Sequence, residues 1–140
     1  MLTASGRDRV GIVDEITALL LRFDANVESS RMVRLGGDFA MLMFVTAPDE
    51  RIEALRAALA EMHYVRYDVH TRLSEPEDGD PSAAIPCAIT VLGADHVGII
   101  HQVARYLAEQ GINVETMTTD VVAAPMSGTP LFTMSAVVRV

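Results

Sequence analysis

Apolar positions recur along this chain in two rhythms, and the rhythms come in a readable order. Leu2–Ser5 has the make-up of a short strand. Residues 11–23 then place Ile12, Val13, Ile16, Leu19, Leu20 and Phe23 on one stripe, which predicts a helix with one buried face. Asn26–Leu35 is strand-like and ends at Gly36 and Gly37, a two-residue hairpin signal. Phe39–Thr46 is apolar on both alternating faces, which predicts a central strand covered on both sides. Pro48, Asp49 and Glu50 open a second helix, with Ile52, Leu55, Leu59 and Met62 facing inward. In "VRYDVHTRL", Val65, Tyr67, Val69, Thr71 and Leu73 share one face, and Arg66, Asp68, His70 and Arg72 the other. The order β-α-β-β-α-β is the split βαβ, or ferredoxin-like, pattern of an α+β fold.

The chain then begins this pattern again. Residues 6–28 align without a gap to residues 93–115, with nine identities in 23 positions. Gly6, Asp8, Val10, Gly11, Ile12, Leu20, Asn26, Val27 and Glu28 recur as Gly93, Asp95, Val97, Gly98, Ile99, Leu107, Asn113, Val114 and Glu115. After a longer hairpin in the second copy, Phe39 and Met41 recur as Phe132 and Met134. "SEPEDGDPSAAIP" between the copies is acidic, holds three prolines and has no apolar period, so residues 74–85 read as a solvated linker. Two related modules follow, 1–73 and 86–140, the second with strands expected at 86–92, 113–122 and 131–140 and a helix at 99–110. The second helix and fourth strand have no counterpart before Val140.

Composition narrows the function classes. Eleven Arg and no Lys face nineteen Asp and Glu, a net charge of −8, and no basic run is present to neutralise a nucleic acid backbone. No apolar run is long enough to span a bilayer, and "MLTASGRDR" has no signal-peptide core, which points to a cytoplasmic protein with no membrane partner. The single cysteine, Cys87, allows no intramolecular disulfide and no Cys-based zinc site, and its apolar surroundings predict a small buried filler. His63, His70, His96 and His101 have no metal-ligand spacing, and neither a GxSxG elbow nor a Walker A loop is present. No catalytic residues, metal or cofactor are expected. Met41, Met43 and Met134 are expected in the core, and "AAPMSGTP" is read as a plain ordered turn, the alternatives being a hairpin that folds over a ligand edge or contacts a partner.

The chemistry worth pursuing lies in "RDRVGIVDEI" and "ADHVGIIHQV", each where a strand hands over to a helix. A glycine there lets a backbone or ligand come close. The following helix offers unpaired N–H groups and the positive end of its dipole, suited to a carboxylate. Asp8 and Asp95 are placed to cap that helix or to meet an ammonium group. Asn26 and Asn113 open the next strand with amides that both donate and accept. A zwitterion needs this mixture, although glycine turns and aspartate caps are also ordinary structural choices.

"GRDRVGIVDEI" and "GADHVGIIHQV", each followed by "NVE", resemble the ACT-domain family of small-molecule regulatory modules. "NVESSRMVRLGGDFA" and "NVETMTTDVVAAPMSGTPLF" are similar to the tandem-ACT group that includes the glycine cleavage system transcriptional repressor. The resemblance implies ferredoxin-like modules with both helices on one side of a sheet. It also implies modules that pair with one another, a homo-oligomer, an amino acid at the seam, and signalling through contact with a transcription activator protein. The binding residues it implies are Asp8, Arg9, Val10, Gly11, Ile12 and Asn26, with Asp95, His96, Val97, Gly98, Ile99 and Asn113 in the second copy. Val10 and Val97 stand where the family has proline, and His96 stands where it has arginine, so two equivalent sites are not expected. An ACT-type dimerisation or scaffold module with empty sites is the alternative.

The second module carries one more expectation. In a sheet of order 4-1-3-2, loss of strand four leaves the uncharged strand "PCAITVL" at an edge. Either that edge pairs with another chain or with the first module, or the natural protein continues past Val140.

Overall fold

The protein is described by a computed structural model covering residues 1–63, 67–75, 83–94 and 98–140. Its elements run β1 (Leu2–Arg7), α1 (Ile12–Arg22), β2 (Asn26–Leu35), β3 (Asp38–Thr46), α2 (Asp49–His63), β4 (Asp68–Thr71), β5 (Pro86–Ala94), α3 (Ile99–Glu109), β6 (Asn113–Ala123) and β7 (Pro130–Arg139). They fall into two units, Met1–Glu77 and Asp78–Val140. Most of the expected linker, residues 76–82, lies outside the described residues, as do Val65 and Arg66.

In the first unit the strands lie in the order β2-β3-β1-β4, every neighbour antiparallel. This is the ferredoxin-like βαββαβ arrangement. The residues that alternate inward on β1 and β3 (Leu2, Ala4, Phe39, Met41 and Met43) pack with Ile12, Ile16 and Leu20 of α1 and with Leu55 and Leu59 of α2. Each large apolar side chain taken fully into such a core contributes roughly 1.5–3 kcal/mol. Gly6 marks the tightest approach within the sheet. A Cβ there would lie 3.0 Å from the Tyr67 Cβ, beside the edge-to-face pair of Phe39 and Tyr67 rings, whose centroids are 5.7 Å apart.

Three sequence expectations are corrected here. β3 is central but covered on one face only: Leu42 and Phe44 point away from the helices and are 45% and 38% exposed. Both helices pack on the other face, because both crossovers run on the same side of the sheet. Val13 is also largely exposed, since it lies about 100° around the helix from Ile12, off the stripe made by Ile12, Ile16 and Leu20. Leu73 lies beyond the end of β4 at Thr71, so the inward alternation that holds for Tyr67 and Val69 no longer applies to it, and it is exposed.

The second unit is βαββ, a three-stranded antiparallel sheet of order β5-β7-β6 with α3. The central strand β7 supplies its core: Phe132, Met134, Ala136 and Val138 are buried, as is Leu107 from α3. β5 is an edge strand, as expected, and its inward residues Cys87, Ile89 and Val91 are only half-buried. Cys87 is therefore a partly exposed edge residue, not a buried filler.

Candidate functional site

Both helices that follow a recurring "VGI" start in the same unusual way. Gly11 caps α1 with φ 96° and ψ −1°, and Gly98 caps α3 with φ 93° and ψ 0°. This left-handed region is costly for a residue bearing a Cβ. The glycine is thus required by backbone conformation and not by crowding. A Cβ at Gly11 would meet nothing nearer than the Arg9 Nη1 at 3.9 Å, and one at Gly98 would meet no described atom within 4 Å. The two turns close alike: the Glu15 N–H donates to the Gly11 carbonyl at 2.9 Å, and the Gln102 N–H to that of Gly98 at 3.0 Å. No side chain among the described residues caps either helix.

Asp8 therefore does not serve as the helix cap. Its carboxylate instead accepts from Arg34 Nε at 2.7 Å, and its N–H donates to the Gly37 carbonyl at 3.0 Å. Both contacts tie the turn to the β2–β3 hairpin. A short polar side chain is drawn to a neighbouring guanidinium when the backbone aims it across the sheet end. Arg9 pairs with Glu15 at 2.6 Å, and that carboxylate holds the guanidinium above its ordinary pKa. Val10 is 98% exposed, so the residue standing where the family has proline projects fully into solvent. Asp95, His96 and Val97 lie outside the described residues.

The asparagines are not part of this turn. α1 runs away from Gly11 for eleven residues, about 16 Å, before β2 returns. Asn26 opens β2 opposite Thr46, at the far end of the helix from Gly11. Asn113 opens β6 opposite Arg139, likewise beyond the far end of α3 from Gly98. Asp8, Arg9, Val10, Gly11 and Ile12 are together; Asn26 is not with them in the same unit. Sequence proximity after a helix is misleading, because a helix delivers the chain to the opposite end of the sheet.

A family model described as the ACT domain matches residues 1–72, just over half of the chain. The chain belongs to the ACT domain family. A solved structure of an unknown protein from Galdieria sulphuraria is 34% identical at a TM-score of 0.84, the match covering 99% of this chain and 79% of that one. A candidate glycine cleavage system transcriptional repressor is 21% identical at a TM-score of 0.71, with 99% and 78% covered, and shares the fold. UPF0237 proteins of Methanosarcina mazei and Methanosarcina acetivorans are each 34% identical over 53 residues. The chain spans 58% of the length of those curated relatives.

The ACT modules also share a feature that pattern reading passed over. β2 carries a register shift between Val27 and Ser29, and β6 carries one between Val114 and Thr116. The extra residue is the Glu of "NVE" each time. Glu28 accepts from the Thr46 hydroxyl at 2.7 Å, and Glu115 pairs with Arg139. The signal was the recurrence of that Glu itself. A β-bulge keeps one residue out of the ladder and bends the strand.

No helix among the described residues is long and apolar enough to cross a membrane.

Proposed function

We propose that this ACT domain protein is a non-catalytic regulator that binds an amino acid at the strand-to-helix turns and signals through protein contacts. The observation that carries the proposal is the pair of glycine-started helices. Each begins with N–H groups that no described side chain caps, and a ligand carboxylate is a suitable acceptor for them. At the first turn, Asp8, which also pairs with Arg34, is the nearby carboxylate for the ammonium end, and Arg9 and Val10 lie between it and Gly11.

The two turns differ electrostatically. α1 holds Asp14 and Glu15 in its first turn, whereas α3 holds no acidic residue there. Carboxylates in the first turn occupy the favourable end of the dipole and repel a ligand carboxylate. The turn at Gly98 and Ile99 is accordingly the stronger anion site of the two. Asn26 and Asn113 can join such a site only from a different module than the one that supplies the turn, and a homo-oligomer is part of the proposal. Regulation of glycine or one-carbon genes through a transcription activator protein belongs to the same reading. It is supported by the stretches beginning "NVE", and the cytoplasm is the compartment this requires.

Calorimetric titration of the full chain with each of the twenty amino acids tests the reading. Saturable binding to one of them, weakened by Gly98→Ala, is the expected result. No heat from any amino acid would reject ligand sensing and leave the alternative, a dimerisation or scaffold module. That alternative is favoured by one feature, the apolar patch of Val33, Leu42 and Phe44 on the helix-free face of the first sheet.

A further inference from the structure

The first unit holds a cavity of about 290 Å³ at the end of the sheet opposite the Gly11 turn. It lies where β1 starts, β3 and β4 end and α2 begins. Leu20, Val45, Ile52, Leu55 and Leu59 line it with apolar surface. Its size is near the lower limit of about 300 Å³ for small-molecule pockets. Such a space suits a compact molecule with a short hydrocarbon tail.

The polar part of the lining is unevenly charged. Arg56 and Arg72 both border the cavity, and Asp49 is the one carboxylate among the lining residues. Arg56 is held in place: its Nε donates to the Thr71 hydroxyl at 3.3 Å, and its Nη1 meets Glu53 at 3.2 Å. Arg72 makes no ion pair among the described residues, and its carbonyl accepts from the Met1 amino group at 2.9 Å. That amino group is held below its ordinary pKa, first by burial and then by Arg72 and Arg56. Both guanidiniums act on that amino group, so this end of the sheet carries positive charge beside the cavity.

We propose that this cavity binds a small monocarboxylate with an apolar tail, the tail among Leu20, Ile52, Leu55 and Leu59 and the carboxylate on Arg56 and Arg72. Guanidinium forks suit a carboxylate, and the apolar walls take up the tail. The site lies at the other end of α1 from the proposed amino-acid turn.

Octanoate is the probe, titrated into the full chain and followed by ¹H–¹⁵N and methyl NMR. The expected result is one saturable site, with the largest shifts at Leu20, Ile52, Leu55 and Leu59. Octan-1-ol should bind at least about tenfold more weakly, and Arg56→Gln and Arg72→Gln should each weaken octanoate by roughly tenfold. Circular dichroism of each variant establishes that it folds, and Arg72→Lys should retain part of the affinity. Three results would overturn the proposal: no saturable shift, octan-1-ol binding as well as octanoate, or folded Gln variants that bind octanoate unchanged. Saturation confined to residues beside Gly11 or Gly98 would overturn it as well, while leaving the amino-acid reading intact.

Discussion

Replacing Gly11 with alanine separates two reasons for a glycine at this turn. The backbone there is left-handed, with φ 96° and ψ −1°. A residue with a Cβ pays about 1–2 kcal/mol for that region. Alanine also restricts the unfolded chain, which returns about 0.4–1 kcal/mol. Packing adds little, because the new Cβ would meet only the Arg9 Nη1 at 3.9 Å. The net destabilisation is about 1 kcal/mol, which for a unit of this size lowers Tm by roughly 4–8 °C. Gly11→Asn should cost less than half as much, since asparagine tolerates the left-handed region. Gly6→Ala is the contrast. Its Cβ would crowd that of Tyr67 at 3.0 Å, so overpacking costs about 1–3 kcal/mol and asparagine cannot relieve it. Urea unfolding, followed through amide NMR signals of the first unit such as Ile16, measures all three. The reasoning fails if Gly11→Ala is neutral, or if alanine and asparagine are equally damaging at position 11.

Other outcomes follow from the same contacts. Ile16→Ala empties a fully buried position between α1 and the sheet and should cost about 2–5 kcal/mol in urea unfolding; a loss under 1 kcal/mol would show that the core closes over the gap. Asp24→Gly should be neutral to within about 0.5 kcal/mol. It relieves a left-handed φ of 54° but loosens the unfolded chain and removes an exposed ion pair with Arg51. Burial, with Arg72 and Arg56 nearby, holds the Met1 amino group below its ordinary pKa of 8.0 in the folded chain. The unfolded chain therefore binds more protons between the two values, and stability should rise with pH through that window and be fully present above 8.0. N-terminal acetylation should abolish that part of a Tm-against-pH profile.

Much of the fold was legible because hydrophobic period and hairpin glycines are local signals. The stripe of Ile12, Ile16 and Leu20 and the alternation of Phe39, Met41 and Met43 led directly to elements that the structure contains. What was not legible was non-local. An apolar run such as Phe39–Thr46 has the same pattern whether one face or two are covered, and only the placement of both helices on one side decides it. Asp8 looked like a cap because its nearest neighbours in sequence are a helix start, yet its partner, Arg34, is 26 residues away. The asparagines were grouped with the glycine turn by their recurrence in both copies, and recurrence carries no information about which end of a helix a residue reaches. Val10 and Gly11, in contrast, lie where the strand-to-helix pattern placed them.

The bulge at Glu28 has a consequence for insertions and deletions. Val27 pairs with Val45 and Ser29 with Phe44, so the partner strand runs on without a gap while β2 carries one spare residue. Deleting Glu28 would join two stretches that are already in step. The same holds at Glu115, between Val114 on Val138 and Thr116 on Val137. A one-residue deletion usually exchanges the two faces of a strand. Here it would leave every downstream pair in place and straighten the strand. The spare residue is therefore a adjustable joint: its loss would change the direction in which Asn26 or Asn113 enters the sheet while preserving the order of the sheet itself.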